Sequence, residues 1–467
     1  MLHWCFGQFG LSFYWLTLPL FTDLASFWFL TPISALGIPS VLALIHTTFF
    51  AATNIIFRKK NGNAADTTLI FILSWTTAEL FRSYVPFGGL PWNLVGHIWT
   101  DVPLVLKGVA LWGAAGLSFL TLCFFGAIWV AGKKILDFNF PTASLFSILT
   151  IAGVTTFWGH IHKGNVEKHP DLFIRLVQPN FPASHHEHGP EHLHHLHQLS
   201  NLPAENLLTH LIWPEACLSL YQTSQTLGRP IPEYLPNAPG APILITGASC
   251  KAPHHTTNSL LIIQQAGFLM SRYNKTHLAA FGEFIPGRKW LEKIFNTHHV
   301  RALTLGMQDF TPGDGPVSFE IEHTPPFSPF VCFDTAFEGH VAQQPRPEWL
   351  LEITNNAWFG TSWGLYQHLN LGRMRAIEEG LPLLRCTNNG VTAVISPYGD
   401  IVERLPIGTP GILDTALPKP LSSTPYRLWR KIPFYVGLFF LVAWMLYRRF
   451  FYKVPKPKKT TKNKQQK

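Results

Sequence analysis

The sequence predicts a helical multi-span membrane domain joined to an α/β domain that sits in water. Three observations carry that reading. The 467 residues are 47% hydrophobic and only 13% charged, with 16 Trp and 37 Phe, a mixture more apolar and aromatic than an ordinary soluble chain. The apolar character is uneven. Long uncharged runs lie before residue 162 and again near 434–447, whereas residues 163–425 mix polar and apolar positions as a globular domain does. The net charge of +9 gathers at Arg58-Lys59-Lys60, at Lys133-Lys134 and from Arg448 to Lys467, flanking the apolar runs. No basic groove is spread over the polar part, so no nucleic-acid partner is expected.

A span needs about 20 mostly apolar residues. Candidates fall at 4–22, 30–57, 67–85, 103–131 and 142–161, with a sixth near 432–447. The first lacks a basic start and a small-residue cleavage site, so it reads as a span and not as a cleaved leader. Placing every basic cluster in the cytoplasm yields one topology, with both termini inside and the domain between the fifth and sixth spans outside. The expected division is a transmembrane domain over 1–162, a water-exposed domain over 163–425, a C-terminal transmembrane helix over 426–452 and a basic cytoplasmic tail over 453–467. Glu79 and Arg82 stand at i, i+3 spacing near the end of the third candidate; ionisable groups at such depth pair with each other or line a cavity. The stretch Phe87 to His97 that follows, with Gly88-Gly89 and Pro91-Trp92, suggests a break or a re-entrant loop.

Beyond residue 163, strand-like cores recur at 172–180, 210–218, 242–250, 259–275, 328–336 and 349–360, with helical stretches near 184–208 and 364–380. Residues 383–405 read as strands joined by Asn388-Asn389-Gly390 and Tyr398-Gly399-Asp400 turns, completing an α/β arrangement with a well-filled sheet. The histidine-rich tract 185–198 has no Cys and no flanking ligand motif, so it reads as a solvated helix face, with a metal site as the competing reading. The six cysteines show no CxxC and no paired metal spacing, and nothing in their spacing argues for a disulfide. No metal and no cofactor are expected.

Chemistry centres on Cys332. Pro329-Phe330-Val331 runs into it as a strand, an acidic turn follows, and Ala336 to His340 reads as the start of a helix, so the sulfur stands at a strand-to-helix junction. A thiol with an ordinary pKa of about 8.5 needs a base or a cation beside it to react at neutral pH. From context alone it reads first as a small buried hydrophobe. Glu215, in Trp213-Pro214-Glu215, ends a strand as Cys332 does, and Lys275 follows the hairpin-like segment 259–272. Either charge alone would read as a surface group. Together the three side chains form a complete acyl-transfer set: the carboxylate takes the thiol proton, the amine steadies the developing oxyanion, and the sulfur attacks.

These segments resemble the nitrilase superfamily, whose Glu-Lys-Cys set occurs in this chain order. The resemblance narrows further. WPE at 213–215, YNKTHLAAFGEFIP at 273–286, the run from Asn355 to Ile401 and ELFRSYVPFGGLPWNLVG at 79–96 are similar to apolipoprotein N-acyltransferases over nearly the whole chain. The resemblance implies a transmembrane domain plus a nitrilase-like αββα sandwich, with Glu215, Lys275 and Cys332 catalytic. It implies a membrane phospholipid as acyl donor, a thioester on Cys332, and the α-amine of a diacylated apolipoprotein as acceptor. The setting it implies is a bacterial inner membrane with the catalytic domain periplasmic. Glu283 would orient Lys275 or support Glu215; Phe333 and Asp334 would flank the nucleophile where the family commonly has Tyr-Glu; Trp358 would line the substrate pocket; Phe281 and Phe284 would line a lipid entrance. Gln178, Asn388 and Asn389 read as scaffold. The family usually has eight spans, against six expected here. Two other readings stay open: a membrane-tethered amidase using water as acceptor, and a non-catalytic lipoprotein-binding homologue.

Overall fold

The computed structural model describes residues 1–58, 62–136, 142–183, 190–221, 241–252, 255–264, 267–294 and 309–451. The basic tail, Lys59-Lys60 and the first part of the histidine-rich tract lie outside them. The helices are α1 Leu2–Phe13, α2 Leu24–Phe27, α3 Leu30–Phe57, α4 Ala64–Arg82, α5 Pro103–Leu106, α6 Val109–Leu136, α7 Thr142–Ile161, α8 Pro190–Ser200, α9 Arg288–Ile294, α10 Gly364–Glu379, α11 Pro425–Trp429 and α12 Ile432–Phe450. The strands are β1 Lys168–Gln178, β2 His210–Ile212, β3 Leu218–Tyr221, β4 Ile243–Lys251, β5 Thr256–Ile263, β6 Leu269–Asn274, β7 Phe319–Ile321, β8 Thr324–Val331, β9 Trp349–Thr354, β10 Leu383–Thr387, β11 Ala393–Ile395, β12 Ile401–Arg404 and β13 Gly411–Pro418.

Among the described residues, Leu30–Phe57, Val109–Lys133 and Ile432–Phe450 are long and apolar enough to cross a membrane. The stretch 4–22, expected to be one continuous span, is not one. It divides into α1 and a tighter 3-10 stretch, Tyr14–Asp23, that contains Pro19. Proline removes a backbone donor and clashes with the preceding turn, which weakens the α-helical ladder there. A second interruption falls at Gly113 inside α6, where the backbone takes φ 69 and ψ 174. Only glycine reaches that conformation cheaply, and a Cβ there would stand 2.1 Å from the Glu338 carboxylate.

The pair Glu79 and Arg82 anchors a loop. Arg82 Nη1 donates to the carbonyls of Leu90 at 2.7 Å and Trp92 at 2.8 Å, and Nη2 to that of Asn93 at 3.2 Å. Glu79 Oε1 accepts from the Trp75 indole at 3.2 Å and from the Val95 N–H at 2.9 Å. The segment 90–95 is thereby folded back over the end of α4, and its irregular backbone finds buried polar partners, as such backbone must in an apolar setting.

The α/β part is two sheets face to face. One runs in the order β13-β1-β2-β4-β5-β6 with β3 added beside β4; the other runs β12-β11-β10-β9-β8-β7. Parallel pairing in the middle of each (β1·β2·β4 and β8·β9·β10) puts several strand ends at one edge. Ile174, Leu176, Ile212, Ile245 and Leu260 of the first sheet meet Phe327, Val331, Trp349, Leu351 and Ile353 of the second in a shared core. The outer faces are covered by helices: Leu196 of α8 packs on Leu211, Leu244 and Leu261, and Leu369 and Ala376 of α10 pack on Phe330, Leu350 and Leu383. This is an αββα sandwich. Strands covered on both faces read as near-continuous apolar runs, which is why β9 is buried at all six positions. The other side of α10, through Met374 and Ile377, packs on Leu106, Val109, Ala114 and Leu117, so one helix joins the second sheet to the membrane helices.

Candidate active site

Cys332 follows the last residue of β8, but a full helix does not begin there. Residues Cys332–Ala336 form a single 3-10 turn, after which Phe337 returns to extended backbone. The expected helix is corrected to this tight elbow, and Gly339 lies beyond it at φ 82. Cys332 itself has φ 49, a left-handed conformation that costs a non-glycine residue roughly 1–2 kcal/mol and persists only where the surroundings hold it.

Asp334 is part of that hold. Fully buried, its carboxylate accepts from the Val331 N–H at 3.2 Å, the Tyr273 hydroxyl at 2.8 Å and the His277 N–H at 2.8 Å. The last two belong to the segment carrying Lys275, so one short acid pins the lysine loop to the cysteine elbow. Burial alone would raise its proton affinity, but the hydrogen bond and charge of His277 and the other nearby donors overcome this and hold it below the usual range. His277, Asp334 and His340 are metal-ligand types lying close together. His277 Nδ1 lies 3.2 Å from Asp334 Oδ1, and the Tyr273 hydroxyl lies 3.0 Å from His340 Nε2. The cluster reads as a latch.

Glu215 lies three residues beyond β2, in a turn where Ala216 takes φ 57. Its Oε1 accepts from Asn258 Nδ2 at 2.7 Å and its Oε2 from the Asn355 N–H at 2.7 Å. Lys275, 1% exposed, follows β6; its Nζ lies 2.9 Å from Glu283 Oε2, 3.0 Å from Glu283 Oε1 and 3.4 Å from Glu215 Oε1. Asn258 Nδ2 also reaches Glu283 Oε1 at 2.8 Å, and the Ala279 N–H binds Glu283 Oε2 at 2.8 Å. The sulfur completes the set: the Cys332 thiol feels both the Glu215 carboxylate and the Lys275 ammonium.

Burial and charge set the protonation states. Burial would discharge Lys275, but Glu283 and Glu215 together outweigh it and hold the amine firmly protonated. Burial pushes Glu215 up, Lys275 pulls it back, and the neighbouring Glu283 adds to the rise. A carboxylate so placed has a proton affinity nearer neutrality, as a general base requires. Cys332 is pushed up by burial and by the Glu215 charge, with Lys275 opposing. The resting sulfur is therefore a thiol.

Aromatic side chains cover the elbow. Phe333 stacks on Trp92 at 6.3 Å and meets Phe337 edge-on at 5.3 Å; Phe359 packs on Trp15 at 4.5 Å. The indoles of Trp15 and Trp92 both donate to Gln367 Oε1, at 3.0 and 2.9 Å. Phe281, 48% exposed, meets Phe87 of the 87–97 loop edge-on at 5.6 Å, while Phe284 and Trp358 are half-buried. The 3-10 stretch after α1 and the loop after α4 thus contribute Trp15 and Trp92 to the aromatic cover of the elbow, and Phe87 to the contact with Phe281. Sequence reading missed these, and it missed Asn258. The available signal for Asn258 was an amide in the polar first half, Thr256 to Ser259, of a strand whose second half is apolar.

A sequence model of the apolipoprotein N-acyltransferase N-terminal domain matches residues 1–127, and one of the carbon-nitrogen hydrolases matches residues 174–426. An apolipoprotein N-acyltransferase of Rhodopseudomonas palustris is 30% identical, covering 95% of this chain and 84% of its own. The chain belongs to the apolipoprotein N-acyltransferase family. Family members from Rickettsia bellii, at 29% identity over 93% of this chain and 86% of that one, and Bradyrhizobium diazoefficiens, at 31% over 88% and 78%, are similarly related. Among solved structures, a mutant amidase from Nesterenkonia sp. AN1 aligns with TM-score 0.40 and 15% identity over 59% of this chain and 99% of its own. As an apolipoprotein N-acyltransferase family member, the chain is an enzyme, a membrane-associated acyltransferase with a nitrilase-like domain. The histidine-rich tract stays apart from the site: in α8, His195 Nε2 lies 3.2 Å from the Pro179 carbonyl and His194 pairs with Gln198, and none of its described histidines joins a metal-ligand cluster. Gln178 and Asn388 bond backbone carbonyls, as scaffold does, although Asn388 also holds the Asn355 side chain at 3.0 Å beside the N–H that binds Glu215.

Proposed function

We propose that the chain moves an acyl group from a membrane phospholipid, through a thioester on Cys332, to the α-amine of the diacylglyceryl-modified N-terminal cysteine of apolipoproteins. The observation that carries this is a buried carboxylate and ammonium grouped with a half-buried thiol under Trp92, from the loop that follows a membrane-domain helix. Glu215 takes the thiol proton as the sulfur adds to the ester carbonyl, and the oxyanion forms beside Lys275 Nζ. Collapse breaks the carbon–oxygen bond, and Glu215 returns the proton to the departing lysophospholipid alkoxide. In the second half the acceptor amine adds to the thioester, Glu215 takes one of its protons, and the sulfur leaves to be reprotonated. Glu283 and Asn258 keep Lys275 and Glu215 in register. Phe281, Phe284 and Trp358 border the acyl entrance, and the αββα domain, residues 163–425, faces the periplasm of a bacterial inner membrane with both chain ends in the cytoplasm. The test mixes purified protein, phospholipid vesicles and a diacylated lipopeptide, with product read by mass spectrometry. Triacylated peptide from wild type and none from Cys332→Ala is expected. Free fatty acid in place of triacylated peptide would favour water as acceptor and sink the reading.

A further inference from the structure

Behind the elbow lies a polar cluster that the reaction above does not use. His368, Glu352, Arg385 and Asn356 are all fully buried, between α10 and the outer face of the second sheet. Glu352 is ion-paired with Arg385, and Arg385 Nη2 donates to Asn356 Oδ1 at 3.0 Å. Arginine has no acceptor, so the Asn356 atom facing it must be the oxygen. Its amide nitrogen is then the atom 2.9 Å from His368 Nδ1, and Nδ1 must accept. The proton of His368 consequently sits on Nε2, in a neutral ring. Nε2 lies 3.2 Å from the backbone carbonyl of Cys332, with Glu352 Oε1 at 3.1 Å on the same nitrogen. The ring of Trp92 closes the other side at 5.2 Å.

We infer that His368 is a positioning residue for the nucleophile elbow, its tautomer set by the Arg385–Asn356 relay, and that it acts by fixing the plane of the Cys332–Phe333 peptide. A peptide is planar and trans, so holding the Cys332 carbonyl also fixes the direction of the Phe333 N–H on its far side. That N–H opens the 3-10 turn, where the first donors have no partner within the turn, and it adjoins the sulfur. It is the backbone donor placed to share the oxyanion with Lys275. Burial lowers the proton affinity of His368, with the Arg385 charge adding to it, in keeping with a neutral ring. The inference rests on Cys332 being the acylated nucleophile.

Two reactions of the same sulfur separate this role from a merely structural one. Thioester formation from a phospholipid passes through an oxyanion; alkylation by iodoacetamide, in which sulfur displaces iodide, does not. With full-length protein in detergent, His368→Leu is expected to slow thioester formation by about 10²-fold, with alkylation and the phospholipid KM within about threefold of wild type. His368→Gln, which keeps a donor, is expected to recover most of the loss. If the leucine variant fails to fold, His368→Asn, whose shorter amide cannot reach the carbonyl, takes its place. Parallel loss of both reactions in folded protein, unimpaired thioester formation, or a glutamine variant no better than the leucine or asparagine one would overturn the inference. A wild type that is alkylated at Cys332 but never acylated would overturn the proposed function, and the inference with it.

Discussion

Gly247 offers a way to move Glu215, the proposed base, without touching it. The residue lies in β4, its N–H donating to the Pro214 carbonyl at 3.1 Å beneath the Glu215 turn. A Cβ at this position would stand 2.5 Å from both Glu215 Cα and Ala216 N, and 2.7 Å from the Pro214 carbonyl oxygen. Non-bonded carbon atoms settle near 3.5–4.0 Å, so the turn must withdraw by roughly 1 Å. The obstructing atoms are backbone, and no rotamer change relieves them. Such overpacking typically costs about 1–3 kcal/mol of stability, which leaves a domain of this size folded. Activity suffers more, because a misplacement of about 1 Å can cost on the order of 10²-fold when a catalytic group must meet its proton at hydrogen-bond distance. Gly247→Ala is therefore expected to retain a cooperative thermal transition while losing about two decades of triacyl-lipopeptide formation, measured at saturating phospholipid. A folded Gly247→Ala that transfers within about threefold of wild type would refute the geometry of the base drawn here.

Three further outcomes follow from particular contacts. Burial and the Glu215 charge hold the Cys332 thiol protonated, so its alkylation by iodoacetamide should keep rising between about pH 6 and 9; a plateau reached below about pH 7 would mean a standing thiolate. Arg82→Lys removes the fork that holds the carbonyls of Leu90, Trp92 and Asn93, and is expected to reduce acyl transfer at least tenfold, an order-of-magnitude figure, with Cys332 alkylation undiminished; equal transfer would detach this loop from the site. Burial lowers His210 and His340 to about 4 in the folded domain, against about 6.5 in the unfolded chain, so the unfolded state binds more protons between those values. The stability they contribute is present above about pH 6.5 and is lost as pH falls towards 4, at up to about 1.4 kcal/mol per unit for each residue. A melting temperature that rises on acidification from pH 6.5 to about 5 would contradict this.

Much of this was legible in the sequence, for identifiable reasons. The helices Leu30–Phe57 and Thr142–Ile161 begin and end where the uncharged runs do, because hydropathy and helix length answer to the same requirement. Glu215, Lys275 and Cys332 could be picked out because each follows a strand end, and parallel central strands bring such ends to one edge. What the sequence hid were effects that depend on packing. Pro19 falls inside an apolar run long enough to span, yet it lies within a 3-10 stretch and not a continuous α-helix. The elbow after Cys332 was read as a helix because Ala336, Phe337 and Glu338 fit helical spacing; the Asp334 carboxylate instead accepts bonds from the lysine segment and closes the turn early. His368 lies in α10 and Glu352 in β9, and only the stacking of α10 on the sheet brings them to the back of the sulfur. Trp15 and Trp92 are more than 200 residues from Cys332 in the chain, and no local pattern ties them to it.

The proposed reaction turns on an acyl group residing on one sulfur. Incubation of the full-length protein with a phospholipid of single acyl composition, without any lipopeptide, followed by intact-mass and peptide analysis, tests it most directly. The expected result is one added acyl group on the peptide carrying Cys332, discharged when diacylated lipopeptide is added and never formed by Cys332→Ala. An acyl group on any other residue, or one that persists in Cys332→Ala, would contradict it.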